Sequence, residues 1–169
     1  WWRRFVDDPL ALADATVTEI YSIPQEGLDA IHLRGLRRRF RELRTQVAAL
    51  DRLATEQGVS EIIAITDVVP LLFPHTFYKS YAYGHLEKGR YDRLNAWLQE
   101  LTSCDLSGVD LKGCASLEGW MERIEEATPV RCLTTSGTSG KMSFVPRTLD
   151  EWPRMVIGYF EHFHQGFGD

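Results

Sequence analysis

The sequence predicts a mixed α/β fold in which helices pack on a small sheet. Three stretches, 26–57, 85–102 and 116–127, place apolar side chains at the spacing of an amphipathic helix. Two short segments, 130–133 and 142–146, are rich in β-prone residues and flank a run of glycine, serine and threonine. We therefore expect several helices around at least one strand–loop–strand unit.

The first part of the chain divides into two predicted regions. Residues 1–24 are predicted to be an irregular lead-in with one short helix near 10–15, and residues 25–169 to belong to one larger domain. The long helix predicted over 26–57 carries an apolar stripe formed by Leu28, Ile31, Leu36, Phe40, Leu43, Val47, Leu50 and Leu53. Gly58 is expected to close this helix, because glycine readily adopts the left-handed conformation found after helix ends.

Proline and glycine separate the later elements. Pro70 is expected to block a helix after the apolar run at 62–65, and an aromatic-rich turn follows up to Gly84. The helix at 116–127 should end at Thr128-Pro129, since the residue before proline avoids the helical conformation. A final helix is predicted after Thr148 and Glu151, which form a capping-box pattern. Its apolar stripe is expected to pack against the strand–loop–strand unit.

The most informative motif is the stretch Thr134-Thr135-Ser136-Gly137-Thr138-Ser139-Gly140-Lys141. Glycine lets the backbone approach a ligand closely, hydroxyl and backbone N–H groups donate to phosphate oxygens, and Lys141 adds a positive charge. The motif therefore predicts a loop that binds the phosphates of a nucleotide. The alternative is a flexible Ser/Gly linker, which the β-prone flanks disfavour.

The loop does not fit the Walker A pattern. That pattern requires glycine at position 135 and serine or threonine at position 142, where this chain has Thr135 and Met142. It also leads into a helix, whereas Met142–Pro146 is predicted to be a strand closed by Pro146. The P-loop NTPase interpretation is therefore excluded on residues and on context.

The same eight residues resemble the signature phosphate loop of the adenylate-forming superfamily, which includes acyl-CoA synthetases, adenylation domains and acyl-protein synthetases. The phrase at 71–81, Leu-Leu-Phe-Pro-His-Thr-Phe-Tyr-Lys-Ser-Tyr, resembles the region that precedes this loop in the luminescence-type branches. After Lys141 the family loop continues Pro-Lys-Gly, while this chain has Met142-Ser143-Phe144. The resemblance therefore indicates a divergent branch rather than a typical acyl-CoA synthetase.

The resemblance implies a partial N-terminal domain of the adenylate-forming fold, with activation of a carboxylic acid by ATP and transfer of the acyl group to a thiol. The acceptor would be coenzyme A, a carrier protein or a protein cysteine. By position, Thr135, Ser136, Thr138 and Ser139 would donate hydroxyls, and Gly137 and Gly140 would supply N–H groups. Lys141 would neutralise charge on the phosphates, and Thr134 would begin the binding segment.

Other parts of such an enzyme are expected elsewhere. The adenine-binding segment, the acid that holds Mg²⁺ and a mobile C-terminal domain with its lysine would follow Asp169. No catalytic residue and no metal ligand is therefore predicted within this chain. Its first methionine is Met121, so we interpret the chain as a fragment that is inactive in adenylation by itself.

Composition restricts the partners. The net charge of −5 gives no reason to expect nucleic-acid binding, and no apolar run approaches the roughly 20 residues that span a bilayer. Cysteines at 104, 114 and 132 are odd in number and scattered, which favours a reducing, cytoplasmic compartment over a disulfide framework. Cys132 is predicted to be a packed core residue rather than a catalytic thiol.

Basic residues crowd the helix predicted over 26–57. Its polar face carries Arg34, Arg37, Arg38, Arg39, Arg41, Arg44 and Arg52, with only Glu42 and Asp51 opposing them. We interpret this face as solvated, although it could dock on an acidic partner. Two alternatives to adenylation therefore stay open: a nucleotide- or phosphate-binding module without catalysis, and a protein-interaction module that uses the basic helix.

Single residues give weaker signals. Lys79 and Tyr81 lie in the phrase at 71–81 and could face the nucleotide, whereas His75 is interpreted as structural. His162 and His164 are two positions apart, so on a helix they would point to different faces. Glu61 and Asp67 form no recognisable acid–base pair.

Overall fold

The computed structural model describes residues 1–135 and 140–151 of the chain. They form a mostly helical α/β structure with one two-stranded sheet, so the mixed class is confirmed. The α-helices are α1 (Arg3–Asp7), α2 (Val17–Tyr21), α3 (Gln25–Arg44), α4 (Ala48–Glu56), α5 (Tyr83–Glu87), α6 (Tyr91–Gln99) and α7 (Leu117–Ala127). The 3₁₀ helices are Pro9–Asp14, Ile65–Leu71 and Phe77–Lys79, and the strands are β1 (Val130–Thr134) and β2 (Phe144–Thr148).

The described residues form two compact units. The first unit contains Trp1–Thr45 and Leu50–Leu72, and the second contains Gln46–Ala49 and the described part of Phe73–Pro153. Each has its own buried side chains. Both strands and the hydroxyl-rich loop (residues 134–141) that connects them belong to the second unit.

The lead-in is more regular than predicted. The 3₁₀ helix Pro9–Asp14 matches the expected short helix, but α1 and α2 flank it, and Phe5 of α1 packs with Ile23 and Ile31 in a buried cluster. Gly27 permits the close approach, because a Cβ there would lie 2.8 Å from Cγ2 of Ile23. The lead-in and α3 therefore share one core.

The single helix predicted over 26–57 is wrong, because the structure has two helices, α3 and α4. The Thr45 hydroxyl donates to the carbonyl of Glu42 at 3.1 Å, where the helix ends. The β-branched residues Thr45 and Val47 have weak helix propensity, and the break lets Val47 become buried. The apolar spacing continues through the break, which is why periodicity alone did not reveal it.

Gly58 ends α4 as predicted, and its φ of +67° is a conformation that other residues adopt at a cost. Beyond it, the carboxylate of Asp67 accepts hydrogen bonds from the N–H groups of Ile63 and Ala64, both at 2.8 Å. These bonds hold the start of the 3₁₀ helix Ile65–Leu71 and lower the pKa of Asp67. Pro70 lies inside that helix, near its end.

The single helix predicted over 85–102 is also wrong. α5 and α6 are separated at Gly89, whose φ is +61°, and the N–H of Arg90 donates to the carbonyl of His85 at 2.7 Å. A glycine with positive φ interrupts the helical path, so the chain turns before α6 begins. α6 then ends at Gln99 rather than at 102.

α7 forms very nearly where the sequence predicts it, because both ends carry clear signals. The Ser116 hydroxyl accepts from the N–H of Gly119 at 3.0 Å, and Thr128-Pro129 follows the helix. Trp120 and Ile124 on its inner face are fully buried, together with Val130 and Phe144 of the two strands. This cluster is the core on which the hairpin lies.

β1 and β2 form an antiparallel pair, which confirms the predicted strand–loop–strand unit. Thr134 pairs with Phe144 and Cys132 with Pro146, so β2 continues to Thr148 instead of closing at Pro146. The N–H of Thr148 donates to the Glu151 carboxylate at 3.1 Å, which is one half of the predicted capping box. The helix predicted after Glu151 lies outside the described residues.

Candidate functional site

The hydroxyl-rich loop begins where β1 ends. At the base of the loop, two hydrogen bonds join the residues next to the ends of the two strands. The N–H of Thr135 donates to the carbonyl of Ser143 at 3.4 Å, and the N–H of Ser143 donates to the Thr135 hydroxyl at 3.2 Å. The Thr135 hydroxyl accepts in this bond, so its own proton stays available for another acceptor. The base of the loop is thus closed while Thr134 and Thr135 are exposed.

Half of the predicted binding residues can be placed. Gly140 is exposed and has a φ of +88°, with no atom within 4 Å of the position that a Cβ would occupy. This left-handed conformation explains why glycine stands there. The other placed residues are Thr134, Thr135 and Lys141, whereas Ser136, Gly137, Thr138 and Ser139 lie outside the described residues.

Lys141 reaches from the loop to an aromatic residue sixty positions earlier. Its ammonium donates to the carbonyl of Tyr81 and lies 4.3 Å from the centroid of the Tyr81 ring. Desolvation lowers the pKa of Lys141, and the nearby charge of Lys79 lowers it further. Desolvation penalises the charged form of the ammonium, and an anion bound to it would offset that penalty.

Tyr81 anchors the second end of the loop. Its side chain is 2% exposed, and its hydroxyl donates to the carbonyl of Met142 at 3.0 Å. Its ring packs against Trp97 and Phe144, with centroid separations of 5.0 Å and 5.5 Å. Because Phe144 begins β2, this aromatic cluster fixes the hairpin directly below the hydroxyl-rich loop.

The stretch at 71–81 therefore contacts the far end of the loop through Tyr81. Phe77–Lys79 forms a 3₁₀ helix, and Ser80 accepts a hydrogen bond from the Trp97 indole at 3.0 Å. Phe73 and Phe77 stack with centroids 4.4 Å apart, and His75 is exposed. Tyr81 contacts the loop itself, and the charge of Lys79 contributes to the lowered pKa of Lys141.

The cysteines show no arrangement for catalysis. All three are free, and burial raises the pKa of the Cys132 thiol to about 12, with a further contribution from the charge of Glu125. A thiol of this kind is protonated at neutral pH and is a poor nucleophile. The prediction that Cys132 is a packed residue agrees with its position on β1, where it packs against the buried cluster that contains Trp120 and Phe144.

Metal ligation finds no support in the part of the chain that is described. Residues 1–135 and 140–151 contain no group of three His, Cys, Asp or Glu side chains that could hold an ion. The carboxylate of Asp67 instead serves as a cap, and His162 and His164 lie outside these ranges. Within the same ranges no helix has the length and apolar character needed to cross a membrane.

Five of the six arginines of α3 divide into two groups. Arg37 donates to the carbonyls of Ile62 and Ile63 at 2.7 Å and 2.8 Å, and Arg44 bonds Asp51 at 2.9 Å and the Val59 carbonyl at 3.1 Å. These two arginines hold the chain that follows α4. Three exposed arginines, Arg34, Arg38 and Arg41, form the second group. Together with Asp7 and Glu42 they line a cleft of about 270 Å³.

The sequence did not reveal the contact between Tyr81 and Lys141. No periodicity connects residues sixty positions apart, and the only signal was that both lie in stretches that resemble one family. The sequence also did not predict that Arg37 and Arg44 donate to backbone carbonyls. Every residue has a backbone carbonyl, so composition gives no sign of such contacts. Comparison with family models, with curated proteins and with solved structures finds no match to this chain.

Proposed function

We propose that this chain supplies the phosphate-binding loop of an enzyme that activates a carboxylic acid with ATP. The carboxylate oxygen attacks the α-phosphorus, the bond to the β-phosphate breaks, and pyrophosphate leaves from an acyl-adenylate. A thiol then attacks the acyl carbon and AMP leaves. The loop binds the β- and γ-phosphates, where negative charge increases as pyrophosphate departs.

The observation that carries this proposal is the β1–β2 hairpin, whose two ends on the loop side carry Thr134, Thr135, Gly140 and Lys141. A hairpin closed at Thr135 and Ser143 presents hydroxyls and a left-handed glycine at one exposed end. Lys141 brings a cation to the same end. Donors fixed before the ligand arrives stabilise developing charge without reorganisation, which is the physical requirement for this step.

The proposed reaction requires two substrates and an acyl acceptor. The substrates are ATP and a carboxylic acid, and the acceptor is the thiol of coenzyme A, of a carrier protein or of a protein cysteine. Mg²⁺ would bind together with ATP, with ligands outside the described residues. The setting is a cytoplasmic enzyme of which this chain is one part.

The test is ATP–pyrophosphate exchange by the full-length protein in the presence of a panel of carboxylic acids. We expect exchange that depends on the acid and falls about ten- to a hundredfold in Lys141→Ala, because a hydrogen bond to a charged group contributes about 1.5–3 kcal/mol. Lys112→Ala is the matched control, since Lys112 is an exposed lysine of the same unit. Equal exchange rates in Lys141→Ala and the wild type would remove the loop from the mechanism.

The exposed arginines of α3 favour a second candidate, a protein-interaction module. Arg34 and Arg41 form no ion pair with any described residue, and both line the cleft beside α1. Such a face would bind an acidic partner through charge. Binding of that kind weakens as the salt concentration rises and does not depend on ATP. A nucleotide-binding module without catalysis would instead bind ATP and show no ATP–pyrophosphate exchange.

A further inference from the structure

A groove lies between α1 and α3 in the first unit, and two neighbouring clefts form it. The first is the basic cleft of about 270 Å³ that contains Arg34, Arg38 and Arg41. Asp7 of α1 and Arg34 of α3 line both clefts, so a basic and an apolar surface are continuous along α3. The second cleft has a volume of about 420 Å³ and is lined by Val6, Asp7, Ala30, Leu33, Arg34 and Arg37.

The three arginines of the basic cleft differ in their ionic partners. Arg38 bonds the Glu42 carboxylate at 2.9 Å and lies 3.7 Å from the Asp8 carboxylate. Arg34 and Arg41 lie on either side of Arg38 along α3, are exposed, and form no ion pair with any described residue. A guanidinium is always charged in proteins, and its fork of N–H groups matches a carboxylate. Two such groups are therefore available to the carboxylates of a partner.

The spacing of these two arginines favours a helical partner. Arg34 and Arg41 are seven residues apart, which is almost two turns and about 10.5 Å along the helix axis. Carboxylates seven residues apart on a partner helix have the same separation and share one face. In an extended segment, side chains on one face recur after about 6.6 Å and again after about 13 Å, and neither separation matches.

The apolar cleft provides a third contact point along the same line. Ala30 lies one turn before Arg34 on the same face of α3, and Val6 and Leu33 line the cleft with it. All three side chains are half-buried, so the cleft has apolar walls that solvent still reaches. A helix that docks in a groove places an apolar side chain in a cleft of this kind.

The acidic residues of the basic cleft argue against a ligand with many negative charges. The carboxylates of Asp7 and Glu42 line this cleft together with three arginines, so its net positive charge is small. A nucleic acid or a polyphosphate would bring many charges close to both carboxylates, which would repel it. A peptide with two separated carboxylates brings charge only where the two arginines lie.

We propose that the groove between α1 and α3 binds an acidic amphipathic helix of a partner protein. Two carboxylates of that helix pair with Arg34 and Arg41, and one apolar side chain enters the cleft beside Ala30. The partner sequence therefore has an apolar residue followed by acidic residues four and eleven positions later, or the reverse order. This inference rests on the second candidate function, a protein-interaction module, and does not depend on the hydroxyl-rich loop.

The test is a fluorescence anisotropy titration of the full-length protein with a labelled synthetic peptide. The peptide is rich in alanine, is held helical by a side-chain crosslink, and carries leucine followed by glutamates four and eleven positions later. Replacing both glutamates with glutamine should weaken binding about tenfold, as the loss of two exposed ion pairs predicts. A peptide of the same composition with the second glutamate moved by two positions, onto another face, should also bind more weakly.

Variants of the protein locate the binding site. Arg34→Gln and Arg41→Gln should each weaken binding of the glutamate peptide about threefold. Arg39→Gln is the matched control, because it removes the same charge from the same helix at a position about 140° around the axis from Arg34. It should bind like the wild type, and an equal loss in Arg39→Gln would overturn the inference.

Charge reversal gives a second readout. The double variant Arg34→Glu with Arg41→Glu should lose the glutamate peptide and bind the corresponding lysine peptide, since attraction and repulsion exchange places. A folded double variant that still binds the glutamate peptide would overturn the inference. The peptide series leaves the protein unchanged, so it tests the spacing independently of the stability of any variant.

The outcomes separate this inference from the functions proposed for the chain. If the peptide with the moved glutamate binds as tightly as the matched peptide, the helical register is refuted while the face remains a site for acidic partners. If no acidic peptide binds, the second candidate function fails and the inference fails with it. Self-association of the wild type that Arg34→Gln abolishes would make a second copy of the chain the occupant and refute the partner protein. None of these results bears on ATP binding by the hydroxyl-rich loop.

Discussion

Burial keeps the Cys132 thiol protonated at neutral pH, since its pKa is raised to about 12. At pH 8 the thiolate fraction of such a group is roughly a thousandfold below that of an ordinary cysteine. We therefore expect a thiol reagent to label Cys104 and Cys114 quickly and Cys132 last. Mass spectrometry of timed reactions measures the order, with the urea-unfolded protein as the control in which all three react alike.

The same shift has a consequence for stability. The folded pKa is above the unfolded value, so the folded state retains a proton that the unfolded state loses at alkaline pH. Cys132 contributes fully to the stability of the folded state at pH values below the ordinary thiol pKa. This contribution is lost as the pH rises toward 12. Rapid labelling of Cys132 in the folded protein at pH 8 would contradict both statements.

At the scale of elements, Gly58 sets the end of α4. Its φ of +67° and the open space around it mean that a methyl group there meets strain in the backbone and no neighbouring atom. We expect Gly58→Ala to lower the free energy of unfolding by about 1 kcal/mol, measured by urea denaturation. Gly108→Ala is the matched control, because Gly108 is also open to solvent and has no positive φ. Equal stabilities of the two variants would show that the left-handed conformation at Gly58 carries no cost.

The elements also show what the sequence could predict. α7 was placed well, because Ser116 and Thr128-Pro129 mark both of its ends. The break between α3 and α4 was not, since Thr45 and Val47 do not disturb the apolar spacing of the helix. The break at Gly89 had a visible signal in the glycine itself. Local chemistry therefore determined the ends of helices and the break at Gly89, whereas the apolar spacing concealed the break between α3 and α4.

At the scale of the whole molecule, the site is assembled from segments that are distant in sequence. Tyr81 lies just before α5, Trp97 lies in α6 and Phe144 begins β2, and their rings form one aromatic cluster below the hairpin. The strand–loop–strand setting could be predicted, because β-prone flanks are a local signal. The contact of Lys141 with Tyr81 could not, since it depends on packing between residues sixty positions apart.

The central claim is that the hydroxyl-rich loop binds the phosphates of ATP. The most direct measurement is hydrogen exchange of the full-length protein, followed by mass spectrometry with and without Mg²⁺–ATP. We predict slower exchange in peptides that cover 134–143 and 77–83, with the peptides of α3 unchanged. Unchanged exchange in the peptides that cover 134–143 under saturating ATP, or protection confined to the peptides of α3, would contradict the account.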